Sequence, residues 1–337
     1  MKKLCYFLLF PFLFSACSTG SKVSEGKSST YEVINLGPDF EHFWEQAKDK
    51  KIEEQIAIWD QTIEKPHQAF YDGMVWQKNE NPNWEERKLR RLKEFLPKYH
   101  LLYPDMMAQF NQFDATLRKQ IKKFSEFFSD ARFALPIYAA PTATFNGKGG
   151  EGGESGDPLG RTVLAFGIDM IVDRKDNPDV LYAHELFHIY HVDVIGVNEN
   201  VFMNEGHLTL PLWLEGLATY VSQQMNPNAS MSDILMDKEL PKLSDQQIQL
   251  LAQMFLKQAN EKAFDSKKPE IYKRWFAIDP QYNLGSQFPP RCGYLLGLKV
   301  AQHLAKSHSL NEMVHWKVKE AHENALTVLN EIAGQRK

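Results

Sequence analysis

Apolar residues recur every three or four positions over long stretches of this chain, the spacing that puts them on one face of a helix. Phe40, Phe43, Trp44 and Ala47 begin the pattern, and Ile56, Trp59 and Ile63 continue it. After the turn at Asn81-Pro82-Asn83 it resumes in Leu89, Leu92, Phe95 and Leu96, then in Leu117, Ile121, Phe124, Phe127 and Phe128. Residues 38–130 therefore read as almost entirely helical, either one wall of a cleft or a separate binding module, and residues 241–334 read as helix-rich again. The basic run Arg87–Lys93 is interleaved with leucines and follows Glu85 and Glu86, which predicts a solvated helix face. Between the helical regions, Ala134–Phe145 and Arg161–Val172 are rich in Val, Ile, Phe, Tyr and Thr and predict two strands joined by a long flexible loop, Gly147–Gly160. No internal repeat is present. The expected fold class is α+β, predominantly helical, with a small mixed sheet confined to the middle of the chain and a boundary between residues 37–130 and 131–337.

One helix breaks the amphipathic pattern. In Val180–Ile189 the apolar positions Val180, Leu181, Ala183, Leu186, Phe187 and Ile189 cover more than one face, so this helix is expected to be buried on several sides. Asp176-Asn177-Pro178-Asp179 supplies a turn and a cap before it. Embedded in it is His184-Glu185-Leu186-Phe187-His188, an H-E-x-x-H motif. At 3.6 residues per turn the two histidines lie about 40° apart on one face and can share one metal ion, with Glu185 beside it. That is the arrangement of a zinc hydrolase, in which neutral imidazoles hold Zn2+ and the carboxylate takes a proton from water. With 11 His in the chain, the motif arises by chance in roughly 3% of sequences of this composition, so it needs a third ligand and a context.

A third ligand is offered by Leu210–Val221. Pro211 suits a first helical turn, Leu212, Trp213, Leu217, Tyr220 and Val221 form an apolar stripe, and Glu215 is embedded among them. A carboxylate on a buried helix carries a large desolvation cost unless it is paired or binds a metal. Metal ligation is favoured over a core-rim glutamate paired with an arginine. His191, seven residues after His184 and on nearly the same face, and His207, on an expected loop, are the other candidates.

The motifs H-E-x-x-H and then a glutamate on a second helix resemble the gluzincin class of zinc metallopeptidases. The likeness is closer to a group of bacterial proteins described as predicted zinc-dependent proteases. Phe166–Asp169, His184–His188 and Trp213–Tyr220 are similar to that group's F-G-x-D strand, H-E-L-F-H and W-L-x-E-G-L-A-T-Y segments, across roughly residues 135–300, about half the chain. The resemblance implies a zincin-like core, with His184, His188 and Glu215 as ligands of one Zn2+ and Glu185 as general base. Several gluzincins carry an aspartate where this chain has Thr219, whose hydroxyl can still hydrogen-bond an imidazole N–H but supports ligand basicity less than a carboxylate. Metzincins use a third histidine after a glycine, and the stretch before His191 lacks that glycine. A further segment, Pro289–Ala301, resembles a G-Y-x-x-G element of the related proteases. By likeness to gluzincins in which a tyrosine donates to the oxyanion, Tyr294 is the candidate oxyanion donor, the alternative being a packing aromatic with Gly293 and Gly297 allowing close helix approach. Arg291 either binds a substrate carboxylate or pairs near Glu215.

Gly147, Gly149 and Gly152 have phosphate-loop spacing, but the strand that is expected to follow them excludes a nucleotide cradle, which needs a helix there. A mobile lip over the cleft or a plain connector remains. At the other end of the scale of order, Met1-Lys2-Lys3 and the apolar Leu4–Ala16 form an export signal over residues 1–16. Phe14-Ser15-Ala16-Cys17 resembles a bacterial lipoprotein signal with Phe14 where Leu is usual. Processing there makes Cys17 a lipidated N-terminus, and Ser18 after it points to the outer membrane; an ordinary secretory signal would leave a periplasmic or secreted protein. Residues 17–36 read as a flexible tether. With three cysteines in all, Cys5 leaving with the signal and Cys17 acylated, only Cys292 remains and no internal disulfide forms. A formal charge of −4 argues against nucleic acid as partner. The expected function is an exported, lipid-anchored zinc hydrolase acting on a peptide or protein; the runner-up is a non-enzymatic surface lipoprotein whose structural zinc has His191 or His207 as fourth ligand, and a third reading is hydrolysis of a non-peptide amide or ester.

Overall fold

A computed structural model describes residues 31–151, 155–197, 201, 206–265 and 267–335, so the export signal, Cys5, Cys17 and most of the expected tether lie outside the described residues. Among those described, no helix is long and apolar enough to cross a membrane. The structure is predominantly helical with one small mixed sheet, and it divides into two compact units after Pro178. The strand-forming middle segment thus belongs with the N-terminal helices, not with the residues that follow, where the sequence boundary at 130/131 had put it.

In the first unit, strands β1 (Glu32–Asn35), β2 (Pro136–Ala140), β3 (Gly147–Gly150) and β4 (Val163–Gly167) form a sheet of order β1-β2-β4-β3. β1 and β2 are parallel, β2 and β4 are parallel, and β3 closes the sheet antiparallel to β4. All five residues of β4 are buried, as its unbroken apolar run requires of an inner strand. Strands are therefore not confined to the middle of the chain: β1 occupies part of the expected tether. The glycine-rich loop also contains a strand. Glycine has low strand propensity, so Gly147–Gly150 carries no local signal, and pairing with β4 alone makes it extended. Gly167 permits that approach, since a Cβ there would lie 1.8 Å from the Phe145 carbonyl oxygen.

The second expected strand ends early, because Ile168–Arg174 turns into helix. Asp169, fully buried in its first turn, accepts from the backbone N–H of Thr142 at 2.9 Å and of Ala143 at 2.7 Å, and from the Tyr99 hydroxyl at 2.9 Å. These bonds compensate an otherwise costly buried carboxyl and pull the chain out of the sheet.

Helices α1 (Gly37–Ala47), α2 (Ile52–Trp59), α3 (Trp84–Phe95) and α4 (Tyr99–Phe127) bury the expected apolar stripes, with Phe40, Phe43, Trp59, Leu92, Phe95, Leu117 and Phe124 inside. Leu89 and Phe127 are exposed instead. The basic run on α3 is not a solvated face throughout. Lys88 reaches inward to Asp60 and Glu64, whose Oε1 also accepts from the indole N–H groups of Trp59 at 2.8 Å and Trp76 at 3.0 Å. Arg91 donates to the Ala143 carbonyl at 2.6 Å. Long basic side chains can bury their stems and pair their heads, and partners distant in sequence decide whether they do.

The second unit contains α5 (Pro178–Ile195), α6 (Thr209–Met225), α7 (Asp245–Leu256), α8 (Cys292–Leu304) and α9 (Val318–Ile332). Pro211 falls in the first turn of α6. α8 packs along α6, and both contact α9. α5 buries residues round its whole circumference, from Val180 and Leu181 to Tyr190 and Val192. Its last turn is held by Lys317, whose Nζ donates to the carbonyls of Val194 and Ile195, both at 3.1 Å.

Candidate metal centre

α5 and α6 bring three buried donor groups to one point. His184 and His188, one helical turn apart, face each other with Nε2 atoms 3.0 Å apart. Glu215 Oε2 from α6 lies 3.2 Å from His184 Nε2 and 3.3 Å from His188 Nε2. The ligand atoms all lie within 4.8 Å of one another, so His184, His188 and Glu215 can hold a metal ion. The spacing tests the fit: donors about 2.0–2.2 Å from a tetrahedral zinc stand about 3.3–3.6 Å apart, a few tenths of an ångström from the separations present.

The electrostatics favour a cation in the same place. Burial, the largest influence, pushes the His184 imidazole down to about 4, keeping it a neutral donor. His188 goes the other way: burial pulls it down, but the Glu215 charge outweighs that and raises it above the ordinary imidazole range. Burial opposes ionisation of Glu215, yet the two histidines outweigh it and hold the carboxyl well below the usual range. An ionised carboxylate and two imidazoles sharing one buried point form a site that a divalent ion satisfies without any proton between the rings.

Glu185 is buried beside this group, and burial drives its carboxyl up to about 7, with the charges of His188, Glu215 and Arg291 as lesser influences. Tyr294, from the first turns of α8, lies nearly parallel to the His184 ring at 24° with centroids 6.1 Å apart. Burial chiefly raises its hydroxyl far above the ordinary phenol range. Arg291 caps α8 and lays its guanidinium over the Tyr294 ring, 3.9 Å from the centroid.

Thr219, His191 and His207 take places of their own outside the donor group. Thr219 does not reach an imidazole; its hydroxyl donates to the Glu215 carbonyl one turn back on its own helix at 2.7 Å. A threonine hydroxyl in a helix has that acceptor permanently in range. The buried His184 Nδ1 meets no hydrogen-bond partner among the described residues. His191 is fully buried against Phe187, with ring centroids 4.8 Å apart, and stands outside the donor group. His207 is engaged elsewhere, its Nδ1 3.0 Å from the Asn260 carbonyl and its ring 4.9 Å from that of His322.

Sequence reasoning missed Gly216 and the capping role of Lys317. Gly216 could have been suspected from its place beside Glu215 in an apolar helix, but only its partner explains it. A Cβ on Gly216 would lie 2.4 Å from the Gly297 carbonyl carbon, so these two glycines set how closely α6 and α8 approach. Gly293 is equally constrained by the Phe276 ring, 2.3 Å from the Cβ it lacks. Compared with protein-family profiles, curated proteins and solved structures, the chain matches none.

Proposed function

We propose that this chain is a zinc-dependent hydrolase acting on peptide bonds, built on a zincin-like arrangement. The observation that carries the reading is the buried convergence of His184, His188 and Glu215 with Glu185 alongside, a carboxylate that burial in the metal-free group makes readier to hold a proton.

His184, His188 and Glu215 would hold one Zn2+ per chain. Bound there, zinc polarises a carbonyl oxygen and lowers the pKa of water. Glu185 takes the proton from the attacking water on its carboxylate and returns it to the departing amine. The Tyr294 hydroxyl donates a hydrogen bond to the oxygen on which negative charge develops, and burial of the group strengthens that interaction by excluding solvent. The three-residue donor group favours catalysis over a structural zinc, which would be closed by four protein ligands; among the described residues neither His191 nor His207 joins it.

The reading extends to location. The lipoprotein-like N-terminus supports export and anchoring through a lipidated Cys17 in the outer membrane, with a peptide or protein substrate and no nucleic acid partner. Metal analysis of purified protein, paired with peptide hydrolysis by wild type and Glu185→Gln, tests the chemistry: one zinc per chain in both and hydrolysis in the first alone is expected. Full activity of Glu185→Gln sinks it. Labelling with a fatty-acid analogue, expected in wild type and lost in Cys17→Ser, tests the anchor.

A further inference from the structure

His207 takes no part in the buried donor group, yet it stands beside a second histidine in an arrangement of its own. Its backbone is fixed by an antiparallel bridge to Lys262, with the Leu208 N–H donating to the Glu261 carbonyl at 2.9 Å and the Ala263 N–H to the Gly206 carbonyl at 3.0 Å. The ring of His322, from the first turns of α9, lies 4.9 Å away between centroids and is tilted by 33°.

Each ring is oriented through its Nδ1. His207 Nδ1 lies 3.0 Å from the Asn260 carbonyl oxygen, which can only accept, so Nδ1 carries a proton and Nε2 of the neutral ring keeps its lone pair. His322 Nδ1 lies 2.6 Å from the Thr209 hydroxyl, which donates or accepts equally well and so tolerates the tautomer that leaves a lone pair on Nε2 there too. Among the described residues neither Nε2 has a hydrogen-bond partner, and both side chains are partly exposed. An imidazole that binds a metal through one nitrogen is commonly oriented by such a bond at the other.

The spacing fits a shared ion. Two imidazoles bound at about 2.0–2.1 Å, with an angle of about 90–109° at the ion, have centroids about 4.5–5.2 Å apart. His184 and His188, in the buried group, stand 4.6 Å apart by the same measure. Burial first, and then the neighbouring His207, hold the His322 imidazole below its ordinary value, which keeps it a neutral donor, while the charge of Glu323 favours a cation beside it. Imidazole nitrogens suit Zn2+, Ni2+ and Cu2+, whereas Mg2+ and Ca2+ take oxygen.

We infer that His207 and His322 form a second metal site, open to solvent, that takes a divalent ion of the Zn2+, Ni2+ and Cu2+ class with water completing its coordination. It shares no residue with His184, His188 and Glu215 and does not depend on the hydrolase reading. An ion there ties the segment before α6 to α9, and Thr209, the first residue of α6, holds one ligand in orientation.

Zinc calorimetry on the metal-free full chain, with thermal melting of each variant, tests the site. Wild type is expected to bind one more Zn2+ per chain than His207→Gln and than His322→Gln. His303→Gln, which removes a histidine paired with Glu331, binds as many as wild type. Thr209→Val keeps both ligands and weakens the ion by about tenfold through lost orientation. Should a glutamine variant fail to fold, the ring-proton signals of His207 and His322 in wild type decide, since paramagnetic Ni2+ broadens both together. Equal stoichiometry in wild type and both glutamine variants overturns the assignment. So does loss of the ion in only one of them, or broadening of only one ring, which leaves a single histidine as ligand. Unchanged affinity in Thr209→Val overturns the role given to its hydroxyl.

Discussion

Gly216 and Gly297 meet backbone to backbone: a Cβ on the first would stand 2.4 Å from the carbonyl carbon of the second, and a Cβ on Gly297 would stand 2.4 Å from the carbonyl oxygen of Leu212. Gly216 follows the candidate ligand Glu215 directly, and Gly297 lies one turn after Tyr294. The contact therefore sets the distance between the helix that carries Glu215 and the helix that carries Tyr294, with Arg291 at its N-terminus.

Replacing Gly216 by alanine forces α6 and α8 apart, since neither neighbouring atom belongs to a flexible side chain. Overpacking of this kind costs about 1–3 kcal/mol. The expected outcome for Gly216→Ala is a lower melting temperature together with weaker zinc binding, measured by calorimetry on the apoprotein. Wild-type stability and zinc affinity in that variant would show that the helices do not need the contact.

Asp169 organises the first unit through three donors, Thr142 N, Ala143 N and Tyr99 Oη. Asn in its place keeps the shape but presents an amide group to at least one donor. Hydrogen bonds to a charged acceptor contribute about 1.5–3 kcal/mol each, and a buried donor left unmatched is the larger penalty. Asp169→Asn is expected to lose on the order of 3 kcal/mol in urea unfolding, and a change within about 0.5 kcal/mol would contradict the account.

If His184 and His188 hold zinc as proposed, zinc and protons compete for the same nitrogens. His188 in the metal-free protein is raised above its ordinary 6.5, so it holds a proton at pH values where a free imidazole has begun to lose it. Affinity for zinc should fall as pH drops through that raised value, by one proton per ion bound. His184, at about 4, adds competition only in stronger acid. Calorimetry in two buffers of different ionisation enthalpy reads the proton released; no release near neutral pH would remove His188 from the ligand set.

His191 predicts acid sensitivity independent of metal. Burial, first, and the neighbouring histidines push it down from 6.5 to about 3. Between those values the unfolded chain binds a proton that the folded one refuses, so stability declines as pH falls from about 6.5 towards about 3 and is restored as pH rises. Chemical denaturation of the metal-free protein across that range should show a shallower pH dependence in His191→Leu than in wild type. Identical slopes would mean that His191 is protonated in the folded state.

How much of this was legible beforehand depended on the range of the interaction involved. Local periodicity announced the helices of both units, because the same residues that favour each helix also mark the face it buries. The four-residue spacing of His184 and His188 determined by helix geometry alone that they share a face, and a glutamate set among Leu212, Trp213 and Leu217 marked Glu215 as needing a partner. That the glutamate meets the histidines, across 31 residues of chain, was decided by tertiary packing. So was the extended state of Gly147–Gly150, which has only Lys148 among three glycines to signal a strand and becomes one through β4. Lys88 and Arg91 turn inward because Glu64, Asp60 and the Ala143 carbonyl stand in reach, and Thr219 turns to its own helix because the Glu215 carbonyl one turn back is always in range. Gly216 read alone is an ordinary helical glycine, and Gly297 reads as allowing some helix to come close; only the approach of one backbone to the other pairs them. Sequence determined the elements and the chemistry each could offer, since those follow from neighbours along the chain, whereas packing decided which groups meet, since that depends on residues far apart in it.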